Sequence, residues 1–529
     1  MIKINNKVVY GGPELKVPKH QSFGKYVIDR LSKYCLNEGK IAMINAHSHE
    51  TYTYKELLRK IVSIARGLKA FSFKPDDVIA ICSENSFEYL AATIATIYDT
   101  LHALGISKPR LVFCSIYSLD LKLDIFQEVS CVEYIVQLSY KEAPCGVMNL
   151  GDLVKEECDM HNFEPAMVNG KTDTAFILYS SGTTGVPKGV MITHLNALYA
   201  ALTFKLAITS ACFNIFFSYT SNNNGRILTV LPWYHTYGLM TAIQYVCSGD
   251  LVLSLLNVYL QITQLLTVPP IVVQLAKSSV VKTYDLSSVN IVWCAAAPLS
   301  ADIIAQAINN LPNCKKILQC FGMTETSMAV FKEPDDRPGT LGSCGQPLPG
   351  VTAKVVDVTT REKLGPNEEG EICFKGLSIM KGYINNETAT KDVFDEEGYI
   401  KSGDIGYYDN EGRFYIVDRI KEIMKYKGQQ VPPAAIESMI LQHPGVAECG
   451  VVGKPDELAG DLPTAFVVPK PGVILNEQDI LDFTTPKLSP LSRLRGGVIF
   501  VDEIPRNGSG KILRRLLRDI LLKKLNDIN

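Results

Sequence analysis

Charge of one sign is what this chain has least to spare: 53 Lys and Arg stand against 55 Asp and Glu, a formal net charge of −2. That balance gives no electrostatic reason to expect a nucleic acid or an anionic membrane as partner, and it points to a small ligand. Paired cysteines are missing too. Fourteen cysteines are scattered from Cys35 to Cys449, without a C-x-x-C pair or the clustered spacing of a zinc site or disulfide framework. They are expected to be reduced, mostly buried thiols in an intracellular protein. The opening residues MIKINNKVVYGG carry no charged-then-apolar signal pattern and the closing KKLNDIN lacks the S-K-L address, so the cytosol is the expected compartment. One stretch, Ala197 to Phe217, approaches the length and apolarity of a membrane span, but Lys205, Thr203, Thr209, Ser210 and Asn214 interrupt it. A buried or surface-packed helix is the expectation there, with no stable span.

What is present is a large apolar content: 529 residues at 47% hydrophobic exceed one compact core, so two or three domains are expected. Short β-branched runs such as Val78 to Cys82, Ala175 to Tyr179 and Asn290 to Cys294 recur between helix-like segments, the alternation of an α/β fold. After Val351 short strands, Glu371 to Phe374 and Phe414 to Val417, alternate with Gly- and Asp-rich turns and predict a β-rich subdomain. A smaller unit begins beyond about Arg419. It is predicted to hold a helix over Pro433 to Leu441, strands over Ala447 to Val452 and Thr464 to Val468, and a basic amphipathic tail after Gly510. The boundary falls near residues 418 to 421.

The most informative segment is Tyr179-Ser180-Ser181-Gly182-Thr183-Thr184-Gly185-Val186-Pro187-Lys188-Gly189, directly after an apolar strand. Glycines let backbone N–H groups approach phosphate oxygens, the Ser and Thr hydroxyls add donors, and Lys188 adds positive charge. The spacing is not that of a P-loop, because Pro187 precedes the lysine and Gly189, instead of Ser or Thr, follows it.

This loop closely resembles the signature of the acyl-adenylate-forming superfamily, which includes acyl-CoA synthetases, 4-coumarate-CoA ligases and beetle luciferases. The resemblance continues in order along the chain. It runs through Pro232-Trp233-Tyr234-His235-Thr236-Tyr237-Gly238-Leu239, Phe321-Gly322-Met323-Thr324-Glu325-Thr326 and Ser402-Gly403-Asp404-Ile405-Gly406. Val417-Asp418-Arg419-Ile420-Lys421 with Lys425-Tyr426-Lys427-Gly428 resembles the family's hinge, and Pro505-Arg506-Asn507-Gly508-Ser509-Gly510-Lys511 its C-terminal catalytic loop. The run Leu491 to Val498 is most similar to the insect luciferase-like branch.

The resemblance implies an α/β fold: a large N-terminal adenylation domain over 1–418, of layered α/β subdomains plus a β-rich one, a hinge at 419–421, and a small mobile α+β lid over 422–529. It implies an acid–thiol ligase using ATP, Mg²⁺ and coenzyme A on a small-molecule carboxylic acid, with a fatty acid the expected substrate and an aryl acid next. Peroxisomal residence is a family trait, although the targeting tripeptide is missing. By the same resemblance Ser180, Ser181, Gly182, Thr183, Thr184, Gly185 and Lys188 would hold phosphates, and Glu325 with Thr183 would hold Mg²⁺, a hard cation that prefers oxygen ligands. Ala296, Cys320, Phe321 and Thr324 would line the nucleotide pocket, Asp404 and Arg419 would bind the ribose, and His235 would sit at the acyl pocket. Lys511 would bridge the carboxylate and the α-phosphate, and Lys425 would replace it after rotation about Lys421. Read alone, Glu325 is as readily a solvated or helix-capping carboxylate, Asp404 a turn residue, His235 a packed core histidine and Lys511 a loop lysine.

The family pattern breaks in three places. The stretch N-x-x-Y-T is missing between Thr93 and Pro109, a helix is shortened between Ser254 and Gln261 while Ser210 to Gly225 is unusual for the family, and Ala295 and Ala296 replace glycines beside the adenine. Lost elements threaten a stability margin of only about 5–15 kcal/mol. They motivate a catalytically weakened nucleotide- or acyl-binding protein as the alternative function. A luciferase-like monooxygenase is a further alternative, against which Ala200 stands where beetle luciferases tend to carry arginine.

Overall fold

A computed structural model describes the chain except for residues 1, 46–47, 72, 74–76, 100–107, 155–164, 181–186, 210–224, 255–260, 298, 300, 334–338, 508–509 and 527–529. The β-branched runs form two sheets with parallel centres. The larger has nine strands in the order Gln346–Pro347, Ala329–Lys332, Lys316–Gly322, Ile291–Cys294, Gln264–Thr267, Arg226–Thr229, Leu251–Ser254, Ile41–Asn45 and Thr51–Thr53. Its six central strands are mutually parallel and its edges antiparallel. The smaller is a parallel sheet of Val78–Cys82, Pro109–Cys114, Tyr134–Gln137 and Met148–Asn149.

Both sheets are buried by amphipathic helices, as parallel strands require. Tyr54–Lys69 shows why such a helix forms where it does. Thr53 and Glu56 make a reciprocal capping box, and Leu57, Leu58, Ile61, Ile64, Ala65 and Leu68 place one apolar face in the core.

The predicted β-rich region is an antiparallel sheet in the order Lys3–Asn5, Val8–Tyr10, Thr352–Val356, Gly370–Lys375, Ile400–Tyr408 and Phe414–Arg419. It is welded to the nine-stranded sheet by rings: Phe331 stacks on Phe414 at 4.2 Å and meets Phe374 edge-on at 6.0 Å. The C-terminal unit has its own sheet of Gln429–Val431, Met424–Tyr426, Gly460–Pro469, Val446–Asp456 and Val498–Phe500, with helices Pro433–Ile440, Glu477–Thr484 and Arg514–Asn526. Its interior holds a charged pair, Arg514 bidentate on Glu437 at 2.8 Å, and Arg514 also reaches Glu422 at 2.8 Å.

Mixed α/β architecture with a large N-terminal and a smaller C-terminal domain is therefore as expected. The two ends touch: Lys277 Nζ donates to Val446 O at 3.1 Å, Gln442 Nε2 to Asp302 Oδ2 at 2.5 Å, and Ala434 N to Asp418 Oδ2 at 2.9 Å.

The stretches where the family pattern breaks fall largely on residues outside the described ones. Helix Phe87–Asp99 and strand Pro109–Cys114 are both formed, and the residues between them, 100–107, lie outside the described ones. Strands Leu251–Ser254 and Gln264–Thr267 flank Arg226–Thr229 in register, with 255–260 likewise outside. The apolar stretch near Ala197 belongs to helix His194–Thr209, while 210–224 are outside the described residues. Among the described residues no helix is long and apolar enough to cross a membrane. The described cysteines are free thiols, mostly buried.

Candidate active site

Two antiparallel strands, Thr174–Ser180 and Lys188–Thr193, pair with Ser180 directly opposite Lys188. The glycine-rich loop between them therefore starts and ends at one point on the rim of a cavity of about 780 Å³. Ser181, Gly182, Thr183, Thr184 and Gly185 lie outside the described residues. The loop's two anchors, Ser180 and Lys188, line the cavity, and the hydroxyls of Tyr179 and Ser180 are buried without a hydrogen-bond partner among the described residues. Buried hydroxyls are ordinarily bonded, so donors left open here are available to a ligand.

Lys188 Nζ lies 4.8 Å over the ring of Tyr383, whose hydroxyl donates to Glu325 Oε1 at 2.9 Å. Glu325 is buried in a short turn, Thr324–Thr326, that follows strand Lys316–Gly322. The strand can end so tightly because Gly322 has no side chain: a Cβ there would lie 2.1 Å from Met328 O. Oε2 of Glu325 accepts no hydrogen bond among the described residues.

On the β-rich side, strands Ile400–Tyr408 and Phe414–Arg419 place Asp404 opposite Arg419, with Arg419 Nε 2.9 Å from Asp404 Oδ1. Asp404 Oδ2 is buried and has no hydrogen-bond partner among the described residues. Burial pushes the Asp404 carboxyl up, while Arg419 and Lys511 pull it back. The same pair raises the Arg419 guanidinium. A carboxylate held by arginine with one oxygen free is an acceptor for ligand hydroxyls.

The C-terminal unit contributes Lys511. Its loop is held by Lys511 N donating to Asn507 Oδ1 at 2.9 Å and by Arg506, which binds Gly510 O at 2.9 Å and Glu448 at 3.1 Å. Lys511 lines the cavity, 3.9 Å from Glu422. Burial and then Arg419 lower its ammonium, against the pull of Glu422 and Asp404.

His235 precedes helix Thr236–Ser248 and borders the cavity, and burial lowers its imidazole, favouring the neutral form. Thr324, Glu325, Cys320 and Ala296 line the cavity, and Ala296 does so at φ +79°, a left-handed conformation that suits glycine.

Three expected residues do not line the cavity. Asp404 stands behind its rim, paired with Arg419, which does line it. Phe321 turns its ring onto Phe331 at 5.6 Å and Phe374 at 6.1 Å, so it supports the wall from behind instead of lining it. Lys425 is exposed on strand Met424–Tyr426, because that strand's buried face belongs to Met424 and Tyr426. Sequence reasoning missed Tyr383, which links Lys188 to Glu325, and Glu422 beside Lys511. No spacing signals either, since both arrive through pairing between distant segments.

Residues 36–98 and 98–384 match the family model for AMP-binding enzymes, and 435–511 match the AMP-binding enzyme C-terminal domain. The chain belongs to the AMP-binding enzyme family. Luciferin 4-monooxygenase of Photuris pensylvanica is 38% identical, covering 98% of this chain and 99% of that protein. 4-Coumarate–CoA ligase 1 of Petroselinum crispum is 33% identical, covering 96% and 95%. The crystal structure of ATP-bound MatB from Rhodopseudomonas palustris superposes with a TM-score of 0.79 at 27% identity, covering 94% of this chain and 98% of that one. In this AMP-binding enzyme no cluster of three His, Cys, Asp or Glu suited to a metal exists among the described residues.

Proposed function

We propose that this AMP-binding enzyme activates a carboxylic acid with ATP and passes the acyl group to coenzyme A, with a fatty acid as the substrate class. The observation that carries the reading is the convergence of Lys188, Glu325, Arg419 and Lys511, from four separate parts of the chain, on one cavity.

In the first step a substrate carboxylate oxygen attacks the α-phosphorus of ATP. The bond to the bridging oxygen breaks, pyrophosphate leaves, and a mixed anhydride forms. Lys188, on the loop anchor, faces the phosphates. Asp404 Oδ2 accepts from the ribose hydroxyls while Arg419 fixes its other oxygen. Lys511 supplies charge to the carboxylate and α-phosphate, neutralising anion where it develops.

The chemistry of Glu325 fits one Mg²⁺ contact. It offers a carboxylate oxygen without a hydrogen-bond partner among the described residues, and a cation that keeps several waters and binds mainly phosphates needs no protein cage. When bound, that ion neutralises phosphate charge. Thr183 would be its second protein contact.

In the second step the thiolate attacks the anhydride carbonyl and AMP leaves. We place the domains at 1–418 and 422–529, with a hinge at 419–421 about which the small domain turns so that Lys425 replaces Lys511. The exposed position of Lys425 supports an arrangement fitted to the first step.

The test is carboxylate-dependent ATP–pyrophosphate exchange, across short, medium and long fatty acids and an aryl acid. Exchange is expected with one class, and Lys511→Ala should lower it at least a hundredfold while nucleotide binding persists. Equal exchange in that variant would sink the assignment. A second reading, oxygenation of a luciferyl adenylate, is favoured by the 38% identical luciferin monooxygenase and is tested by light emission with luciferin, ATP and oxygen.

A further inference from the structure

Lys188 and Glu325 come from distant parts of the chain, and one side chain touches both. Strand Gly382–Tyr383 lies beside Lys188–Thr193, with Tyr383 directly opposite Val190. The main chain around Tyr383 reaches to either side: Ile384 N donates to Gly189 O at 2.8 Å, next to Lys188, and Met380 N to Glu325 O at 2.8 Å. That approach needs a glycine at 189, where a Cβ would lie 2.7 Å from Ile384 Cγ2. Thr390, on helix Glu387–Val393, completes the setting by accepting from Tyr383 N at 2.9 Å.

The Tyr383 side chain divides its two chemistries between its two partners. Its hydroxyl donates to Glu325 Oε1 at 2.9 Å, and its ring face carries the Lys188 ammonium at 4.8 Å. All three residues line the cavity, yet Tyr383 is only 6% exposed and Glu325 5%. Burial, then the Glu325 charge, push the phenol up, so it stays protonated and serves the carboxylate as a donor. A carboxylate held at one oxygen has a fixed direction for the other, and Glu325 Oε2 accepts nothing among the described residues. Packing alone would be served as well by phenylalanine, which would leave the buried Oε1 without this donor.

We propose that Tyr383 is a positioning residue for the polyphosphate end of the nucleotide: its hydroxyl aims Glu325 so that the other carboxylate oxygen meets the divalent cation, and its ring seats the Lys188 ammonium against the phosphates. The two roles separate chemically, since one needs the oxygen and the other only the ring face. The inference rests on the reading above for its nucleotide, ATP with Mg²⁺, and not on which acid is activated.

The experiment is equilibrium binding of ATP and of AMP to the full chain by titration calorimetry, with no acid present, in Mg²⁺ and again in EDTA. Wild type, Tyr383→Phe and Tyr383→Leu are compared. Wild type should bind ATP more tightly in Mg²⁺ than in EDTA. Tyr383→Phe keeps the ring and should cut that advantage about tenfold, the worth of a hydrogen bond to a charged group, with AMP and metal-free ATP bound as in wild type. Tyr383→Leu should also weaken metal-free ATP, because the seat of Lys188 is lost, and should leave AMP, which lacks the outer phosphates, unchanged. Where an acid supports exchange, the Mg²⁺ concentration giving half the maximal rate should rise about tenfold in Tyr383→Phe. An undiminished Mg²⁺ advantage in Tyr383→Phe overturns the hydroxyl's role, and metal-free ATP bound equally by the two variants overturns that of the ring. An equal loss for ATP and AMP in either variant marks packing and overturns the proposal. Wild type that binds ATP no better with Mg²⁺ overturns the cation contact and this inference with it. Exchange with no acid overturns acid activation alone, and the binding data still decide the role of Tyr383.

Discussion

Replacing Lys277 by methionine should slow the first half-reaction and spare the second. Lys277 ends helix Pro269–Lys277 in the large domain, and its ammonium donates to Val446 O in the small one at 3.1 Å. Methionine keeps the apolar stem and removes the donor. Above about pH 8, where the closed-state amine is neutral, that hydrogen bond contributes about 0.5–1.5 kcal/mol. A loss of about 1 kcal/mol lowers the closed population, and with it exchange at about pH 9, by up to about fivefold. Transfer of an acyl group from preformed adenylate to coenzyme A, which on the proposed cycle uses a different domain arrangement, should keep its rate.

The same contact predicts a pH dependence. Burial first, then repulsion from Lys470, pushes the Lys277 ammonium down to about 8 in the closed form. With the small domain turned away, its ordinary value is about 10.4. The closed state thus binds fewer protons between about pH 8 and 10.4, so closure is favoured as pH rises through that window and carries its full penalty below it. From pH 7 to 9 the unscreened shift would favour closure about tenfold, and partial exposure reduces this to about threefold. Exchange in wild type should show that rise and Lys277→Met should flatten it. Equal loss of both half-reactions, or an unchanged pH profile, would refute the latch.

Asp404→Asn should raise the KM for ATP at least tenfold in the exchange assay, because it weakens both the Arg419 pair and the open acceptor, Asp404 Oδ2. Ala296→Gly should stabilise the protein by about 0.5–1 kcal/mol, since relief of a left-handed alanine is worth about 1–2 kcal/mol and the freer unfolded glycine costs about 0.4–1. A lower melting temperature would contradict that sum. Arg514→Met should destabilise the C-terminal unit by about 3–5 kcal/mol by stranding the buried Glu437, read from chemical unfolding.

Local pattern carried the fold far. The run Ala175 to Tyr179 is strand Thr174–Ser180, and Pro433 to Leu441 is helix Pro433–Ile440, because apolar periodicity and Pro and Gly boundaries are written within a few residues. Motif residues at strand ends or in the turn that follows one were equally legible: Lys188, Glu325 and Arg419 all line the cavity. Phe321 was not, since which face of a bulged strand turns inward depends on the register shift at Phe321/Gly322. Tyr383 was not either. It acquires its neighbours through pairing with a remote strand, opposite Val190, and no spacing along the chain encodes that.

The charged thread through the small domain links its folding to its chemistry. Glu437 holds Arg514, Arg514 holds Glu422, and Glu422 stands beside Lys511, whereas Asp404 and Lys188 are anchored in sheets of the large domain. Warming or acid that loosens the first link leaves the nucleotide grip in place but releases the lysine from its setting. Such a protein fails in stages, holding its nucleotide after it has ceased to turn over.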